Sequence, residues 1–282
     1  MHRLHSLSLA YLTVRGCPPL EQVRVAAKAG YDATSLRLVA PTGVALPHPI
    51  VGEGALIREI RSACADLGIA VFDGELLTLL PDTDVEEWLR VLDTAAELGM
   101  PMMQITSDDA NLERAAGKLA RVADAAAERG ITLALELTRW RAMSTVAQAQ
   151  ILAEASGRDN VGVLIDALHV SRAGGSPADV AALDRDRVLY LQLCDAPAEA
   201  PGDDAGCIAE AREGRLMPGE GELWLGELMA VLPPDITISV ETPHAGDDAL
   251  DFLTRAEKGM AATRRFLRSL ATEDRISGVP GS

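Results

Sequence analysis

Eight short runs rich in Val, Ile, Leu and Thr recur along the chain, alternating with longer segments of helical periodicity. The runs cover residues 7–12, 33–39, 70–76, 102–106, 132–137, 161–166, 188–193 and 236–241, lengths suited to strands. Between them, 85–98 places Val85, Trp88, Leu89, Leu92, Ala95, Ala96 and Leu98 near one helical stripe, and 112–128 does the same with Leu112, Ala115, Ala116, Leu119, Val122 and Ala123. Gly30, Gly68, Gly99, Gly130 and Gly157 close helical segments, and four of the five run into a strand within a few residues. Glycine suits the residue after a helix because it adopts the left-handed conformation without a side-chain clash. Asp84, Ser144 and Ser176-Pro177 read as helix starts. Eight strands alternating with helices, without a break in composition, predict an α/β fold. The expectation is a single (β/α)8 barrel over 1–275 with a disordered tail at 276–282. A doubly wound open sheet is the alternative, but no G-x-G-x-x-G follows the first strand. The stretch 195–221 reads as a functional loop or lid, and a helix over 248–270 would close the barrel or pair subunits in a homo-oligomer.

Charge and composition exclude several classes. Against 26 Lys and Arg stand 42 Asp and Glu, a net charge of −16, which disfavours nucleic acid because phosphate binding needs a concentrated cationic surface. Arg264, Arg265 and Arg268 come nearest to a basic cluster and read as a solvated helix face. Aromatic residues, at 3%, are too few for a base-stacking platform. No apolar run approaches a membrane span, and residues 1–6 lack the pattern of a secretory leader. Cys17, Cys64, Cys194 and Cys207 form no C-x-x-C pair and no zinc spacing, so reduced thiols in a cytoplasmic protein are expected.

In a (β/α)8 barrel the chemistry sits at the C-terminal ends of the strands. There the fifth strand ends in Glu136, the sixth in Asp166 and the eighth in Glu241, while Gln192 interrupts the apolar seventh. A single carboxylate ending a strand is more often a cap or an ion-pair partner. Three of them with an amide, on four successive strands, would crowd one point and repel one another unless a cation relieved the repulsion. Such hard oxygen donors suit Mn²⁺, Mg²⁺ or Co²⁺ better than a structural Zn²⁺. His169, three residues past Asp166, stands near this point. So does Arg215, in Arg215-Leu216-Met217-Pro218-Gly219-Glu220-Gly221, as a candidate contact for a substrate oxygen. Arg37, a cation inside the second strand, is a further candidate. Glu75, Gln104, Arg139, Trp140 and His244 are weaker ones, each with an ordinary role in packing or ion pairing available to it.

These motifs resemble the sugar phosphate isomerase/epimerase superfamily, the xylose isomerase-like TIM barrels, over most of the chain and most strongly from about Glu136 to Glu241. The resemblance implies a divalent metal held by Glu136, Asp166, Gln192 and Glu241. It places the family's Asp-x-x-His on Asp166 and His169, and its Arg-x-x-Pro-Gly-x-Gly on Arg215, Pro218, Gly219 and Gly221, with the arginine touching substrate. Gln192 departs from the more frequent His at the third ligand position, although hydroxypyruvate isomerase-like members carry Gln there. The apurinic endonucleases of this fold use a multi-histidine zinc site, which the five histidines here (His2, His5, His48, His169 and His244) do not match.

The chemistry the resemblance implies is proton abstraction beside a carbonyl, with Glu136 and Glu241 as general base and acid and the metal, Mn²⁺ foremost, stabilising an enediolate. An isomerase or epimerase of a small sugar, polyol-ketone or keto acid is the first expectation. The alternative is a lyase that dehydrates a cyclic β-hydroxyketone such as an inosose or dehydroshikimate. A third reading, a non-catalytic ligand-binding barrel, would show no divalent-ion binding. The partner in each case is a small molecule.

Overall fold

A computed structural model describes residues 5–40 and 45–277, the last five by their backbone alone. Eight strands run in sequence order around a closed, parallel barrel: β1 (Leu7–Leu9), β2 (Ala33–Arg37), β3 (Ala70–Leu79), β4 (Met102–Ser107), β5 (Thr132–Glu136), β6 (Val161–Asp166), β7 (Val188–Leu193) and β8 (Thr237–Val240). Closure comes from β1 lying parallel to β8, with Leu7 opposite Ile238, Ser8 opposite Ser239 and Leu9 opposite Val240. Helices surround it: α1 (Pro19–Ala29), α2 (Gly54–Leu67), α3 (Leu89–Glu97), α4 (Leu112–Ala127), α5 (Val146–Ser156), α6 (Ala167–Arg172), α7 (Pro177–Ala181), α8 (Asp204–Glu213), α9 (Leu225–Val231) and α10 (Phe252–Ser277). Among the described residues, no helix is long and apolar enough to cross a membrane.

Alternation along each strand divides the barrel into two cores. Leu133, Leu135, Val163, Ile165, Leu191, Leu193, Ile238 and Val240 face outward into the main core, where the helices pack. Ala134, Leu164 and Tyr190 point inward and, with Phe72, Met102 and Leu189, plug the interior. Phe72 and Tyr190 meet edge to face, their centroids 5.0 Å apart. This apolar plug is the floor beneath the C-terminal mouth.

Most strand boundaries agree with the expected runs, and the departures have local causes. β1 stops at Leu9 because the Tyr11 N–H leaves the ladder to donate to Ser35 Oγ at 2.7 Å, and Tyr11–Val14 coil into a 3₁₀ turn. β3 runs three residues past its expected end, pairing with β4 through Leu79 opposite Ser107. Gly30, Gly68 and Gly157 cap their helices with left-handed geometry, as expected. The cap of α5 is Thr145 rather than Ser144: Thr145 Oγ1 accepts from Gln148 N, and Gln148 Oε1 accepts from Thr145 N, a reciprocal box that Ser144 cannot make. Asp84 caps the 3₁₀ turn Val85–Trp88, which leads into α3.

The expected loop over 195–221 contains α8. Asp203 Oδ1 accepts from Gly206 N at 2.8 Å, and buried Arg172 grips Glu210 through two 2.7 Å contacts. The last helix, α10, begins at Phe252 and reaches Ser277, and Tyr31 on the α1–β2 connection donates to Ala256 O at 3.1 Å. Of the tail expected over 276–282, residues 276 and 277 complete that helix, and 278–282 lie outside the described residues.

Candidate active site

The C-terminal mouth opens into a cavity of about 440 Å³, within the size range of small-molecule sites. Glu136, His169, Arg215, Glu241 and Arg37 line it, together with Glu75, Gln104, Thr106, Trp140 and Tyr11. Asp166 and Gln192 lie buried at its edge and sit opposite each other in the β6–β7 register, so both side chains project to the same side of the sheet.

One strongly polar cluster fills the β5–β8 side. Ligand-capable atoms of Glu136, Asp166 and His169 all lie within 4.8 Å of one another. Arg215, only 1% exposed, links Asp166 to Glu241: its Nη1 is 2.7 Å from Asp166 Oδ2 and its Nη2 is 3.0 Å from Glu241 Oε2. Its Nε donates to Ala211 O at 2.9 Å, so α8 fixes the guanidinium plane. The repulsion expected among the carboxylates is therefore relieved in part by the protein's own arginine.

The environment drives these groups apart in protonation. Burial, reinforced by Asp166, pushes Glu136 up to about 8. Burial also raises Glu241 well above the usual carboxylate range despite Arg215. Burial works against the charge of Asp166 as well, but Arg215 and His169 outweigh it and hold this carboxyl below its ordinary value. Burial lowers His169 to about 4, leaving a neutral imidazole at pH 7. Its Nε2 is 3.8 Å from Glu136 Oε1, and its ring meets Trp140 edge to face at 5.3 Å. The His169 N–H donates to Asp166 Oδ1 at 3.0 Å, which is the physical meaning of the Asp-x-x-His spacing: the aspartate caps α6.

The Arg-x-x-Pro-Gly-x-Gly segment is also explained by its geometry. Asp195 Oδ1 accepts from Ala196 N and Leu223 N, and Oδ2 accepts from Gly219 N, so one buried carboxylate folds the whole turn that presents Arg215. A Cβ at Gly221 would sit 2.5 Å from both Asp195 Oδ1 and Ala196 O. Gly221→Ala is therefore expected to cost about 1–3 kcal/mol, read as a lowered urea midpoint, because the turn must shift to admit one methyl group.

Opposite this cluster, Arg37 pairs with Glu75 (Nη2 to Oε2, 2.6 Å) and lies over the Tyr11 ring at 4.8 Å. Ser35 Oγ donates to the other oxygen of Glu75 at 2.7 Å. Two weaker sequence candidates fall outside the site. Arg139 ties to Asp204 and Cys207 on α8, and exposed His244 caps a surface turn by accepting from Gly246 N.

Three buried groups escaped the sequence reading. Asp195 is one. The others are Asp73 and Tyr190, joined across the barrel by a 3.1 Å hydrogen bond. Burial, with Glu75 adding repulsion, pushes Asp73 up to about 7. Such a raised carboxyl favours the folded state fully below its unfolded value and loses that advantage as pH rises toward 7. The loss is on the order of 4 kcal/mol at about 1.4 kcal/mol per unit. Asp73→Asn should remove most of this slope, so urea unfolding from pH 4 to 8 should show the variant gaining stability relative to wild type as pH rises.

A hard divalent cation fits this donor set. Glu136 and Asp166 converge from the neighbouring strands β5 and β6 together with His169, Glu241 joins them through the shared Arg215, and Gln192 Oε1 is buried without a hydrogen-bond partner, an acceptor with nothing to accept from. The family model of the xylose isomerase-like TIM barrel matches residues 23–270. The chain belongs to that family. A 3-dehydroshikimate dehydratase of Pseudomonas aeruginosa is 27% identical over 241 residues, 79% of this chain but 35% of the relative. The chain thus spans about a third of that enzyme's length. An inosose isomerase of Halalkalibacterium halodurans is 28% identical over 116 residues, 40% of this chain and 39% of the relative. Among solved structures, the IOLI protein with a bound zinc atom superposes with a TM-score of 0.78 at 18% identity, covering 94% of this chain and 99% of the other, a likeness of fold.

Proposed function

We propose that this chain transfers a proton at the carbon beside a ketone in a small polyhydroxylated molecule, returning it to give an isomer or epimer. The observation that carries the reading is the pair of buried glutamates, Glu136 and Glu241, on opposite flanks of the Asp166–Arg215 pair and facing one closed-ended cavity. Burial raises the proton affinity of both, pushing Glu136 up to about 8 and Glu241 well above the usual carboxylate range, a shift in the direction that suits groups exchanging protons with substrate.

Glu136, Asp166, Gln192 and Glu241 would hold a divalent cation, and Mn²⁺ is proposed from the hardness of the donors. When bound, such an ion supplies Lewis-acid stabilisation of negative charge on a substrate oxygen. The chain's residues supply the rest. Neutral His169 can donate from its ring to a substrate oxygen beside Glu136. Arg215 holds Asp166 and Glu241 in place while turning part of its charge toward the cavity. Trp140 and the Tyr190–Phe72 floor exclude water from below and from one side.

Loss of a β-hydroxyl as water is the second outcome the same groups allow. It is favoured by the extent of similarity to the dehydratase relative, 79% of this chain against 40% for the isomerase relative. In that case one glutamate takes the proton and the other protonates the departing hydroxyl. Assays of inosose and 3-dehydroshikimate, with protein stripped by chelator and then resupplied with Mn²⁺, Mg²⁺, Co²⁺ or Zn²⁺, test the reading. Turnover that vanishes on stripping and returns on resupply is expected. Turnover unchanged by chelation would overturn the metal assignment, and no turnover of any ketone would overturn the enzymatic one.

A further inference from the structure

Beneath the acidic cluster, a three-residue chain crosses the barrel. Tyr190 Oη on β7 donates to Asp73 Oδ2 on β3 at 3.1 Å, and Gln104 Nε2 on β4 donates to the same oxygen at 2.7 Å. Tyr190 and Asp73 are fully buried and Gln104 is 3% exposed, yet Gln104 lines the cavity. The shared acceptor fixes the sense of the amide. One N–H of the amide is committed to Asp73, and its carbonyl oxygen is the acceptor left without a donor from the protein. Among the described residues Gln104 Oε1 takes no hydrogen bond from the protein, and it is not one of the sealed, unpartnered atoms. A nearly buried acceptor with no protein donor is built for a donor from elsewhere.

Its place defines what that donor is. Gln104 is level with Ala134 on β5, two residues below Glu136, which is one inward-facing layer or about 6.6 Å deeper along the strand. In the strand order β4 stands across the barrel from β8, so Gln104 faces the Glu241 side from below. A molecule held by the upper carboxylates therefore meets Gln104 with the end remote from the reacting carbon.

We propose that Gln104 is a substrate-binding, specificity-determining residue, whose Oε1 accepts a hydrogen bond from the most deeply inserted hydroxyl of a polyhydroxylated ketone, with Asp73 and Tyr190 positioning the amide. The proposal rests on the ketone reading above and narrows it: the substrate carries a hydroxyl, not a carbonyl or a bare methylene, on the side remote from the reacting carbon. A carbonyl there would set two acceptors against each other, and a methylene would leave Oε1 buried against an apolar group. A site built around a substrate hydroxyl discriminates strongly against analogues that lack it.

The test compares wild type with Gln104→Met, which keeps length without an acceptor. The probes are inosose and its analogues in which single hydroxyls are replaced by hydrogen, all assayed with Mn²⁺ present; 3-dehydroshikimate, whose end opposite the reacting carbon carries a carboxylate and no hydroxyl, is the control on which Gln104→Met should lose nothing relative to wild type. The expected result is a KM at least about tenfold higher in Gln104→Met for the intact ketone, with kcat changed less, since the contact is remote from the reacting carbon. For one analogue, the one lacking the deep hydroxyl, wild type and variant should perform alike. Thermal unfolding monitors folding, and Gln104→Asn, with the same amide one carbon shorter, supplies the comparison if the Met variant does not fold. An equal loss for every analogue would mean a packing role, and no loss for any would mean no contact. Either result overturns the proposal. Turnover of 3-dehydroshikimate but not of inosose by wild type would overturn the proposal and leave the ketone reading standing, whereas absence of turnover on both overturns the ketone reading, and the proposal falls with it.

Discussion

Glu136→Gln is expected to lower kcat by about a thousandfold, within the range for loss of a general acid–base group, while the melting temperature holds or rises. The two effects have one origin. Glu136 is a buried carboxyl whose proton affinity is raised by burial and by Asp166 close by, so its charged form is costly in the resting protein. An amide of the same shape removes that cost and removes the proton-transfer group. Steady-state kinetics and thermal unfolding of the same preparation check both halves. A variant that retained full turnover would exclude Glu136 from the chemistry.

Arg215→Met is expected to destabilise the cation-free protein by about 3–5 kcal/mol, the range for breaking a buried ion pair by removing one partner. The methionine fills similar space but leaves Asp166 and Glu241 without the guanidinium that both contact within 3.0 Å. Because a bound cation would return positive charge to the same carboxylates, Mn²⁺ should raise the unfolding midpoint of this variant more than that of wild type. Urea unfolding in chelator and in Mn²⁺ gives both numbers. A variant as stable as wild type in chelator would mean that the pair is not what makes the acidic cluster tolerable.

The extent to which sequence anticipates this structure depends on the range of the interactions involved. β6 and β7 coincide with their expected runs because Val, Ile, Leu and Tyr dominate each six-residue run and turn signals precede it. The strand-end positions of Glu136, Asp166 and Glu241 follow from the same local pattern, and the cavity at that end follows from the fold. What escapes is set by contacts between distant residues. Tyr190 and Asp73 are 117 positions apart, and Tyr190 reads as one more apolar residue of β7 until the closed barrel brings it across to β3. The truncation of β1 depends on Ser35 capturing the Tyr11 N–H, a contact with no signature in residues 7–12. Helix α8 lies in a stretch rich in Gly, Pro and acidic residues, and the buried Arg172–Glu210 pair that anchors it spans 38 positions. Asp195 was the most accessible of the missed residues. It stands two residues past the end of β7 and upstream of a glycine-rich turn whose N–H groups need an acceptor.

The central claim is that the groups at the ends of β5 to β8 move a proton at the carbon beside a ketone. Proton NMR of inosose and of 3-dehydroshikimate in D₂O, with wild-type protein and Mn²⁺, tests it most directly. Predicted is the loss of the signal at that carbon, either by deuterium entering the recovered ketone or its isomer or by departure of the proton with water, and the same signal standing undiminished with Glu136→Gln. Retention of every such proton under the wild-type protein, or equal exchange with the Gln variant, would contradict it.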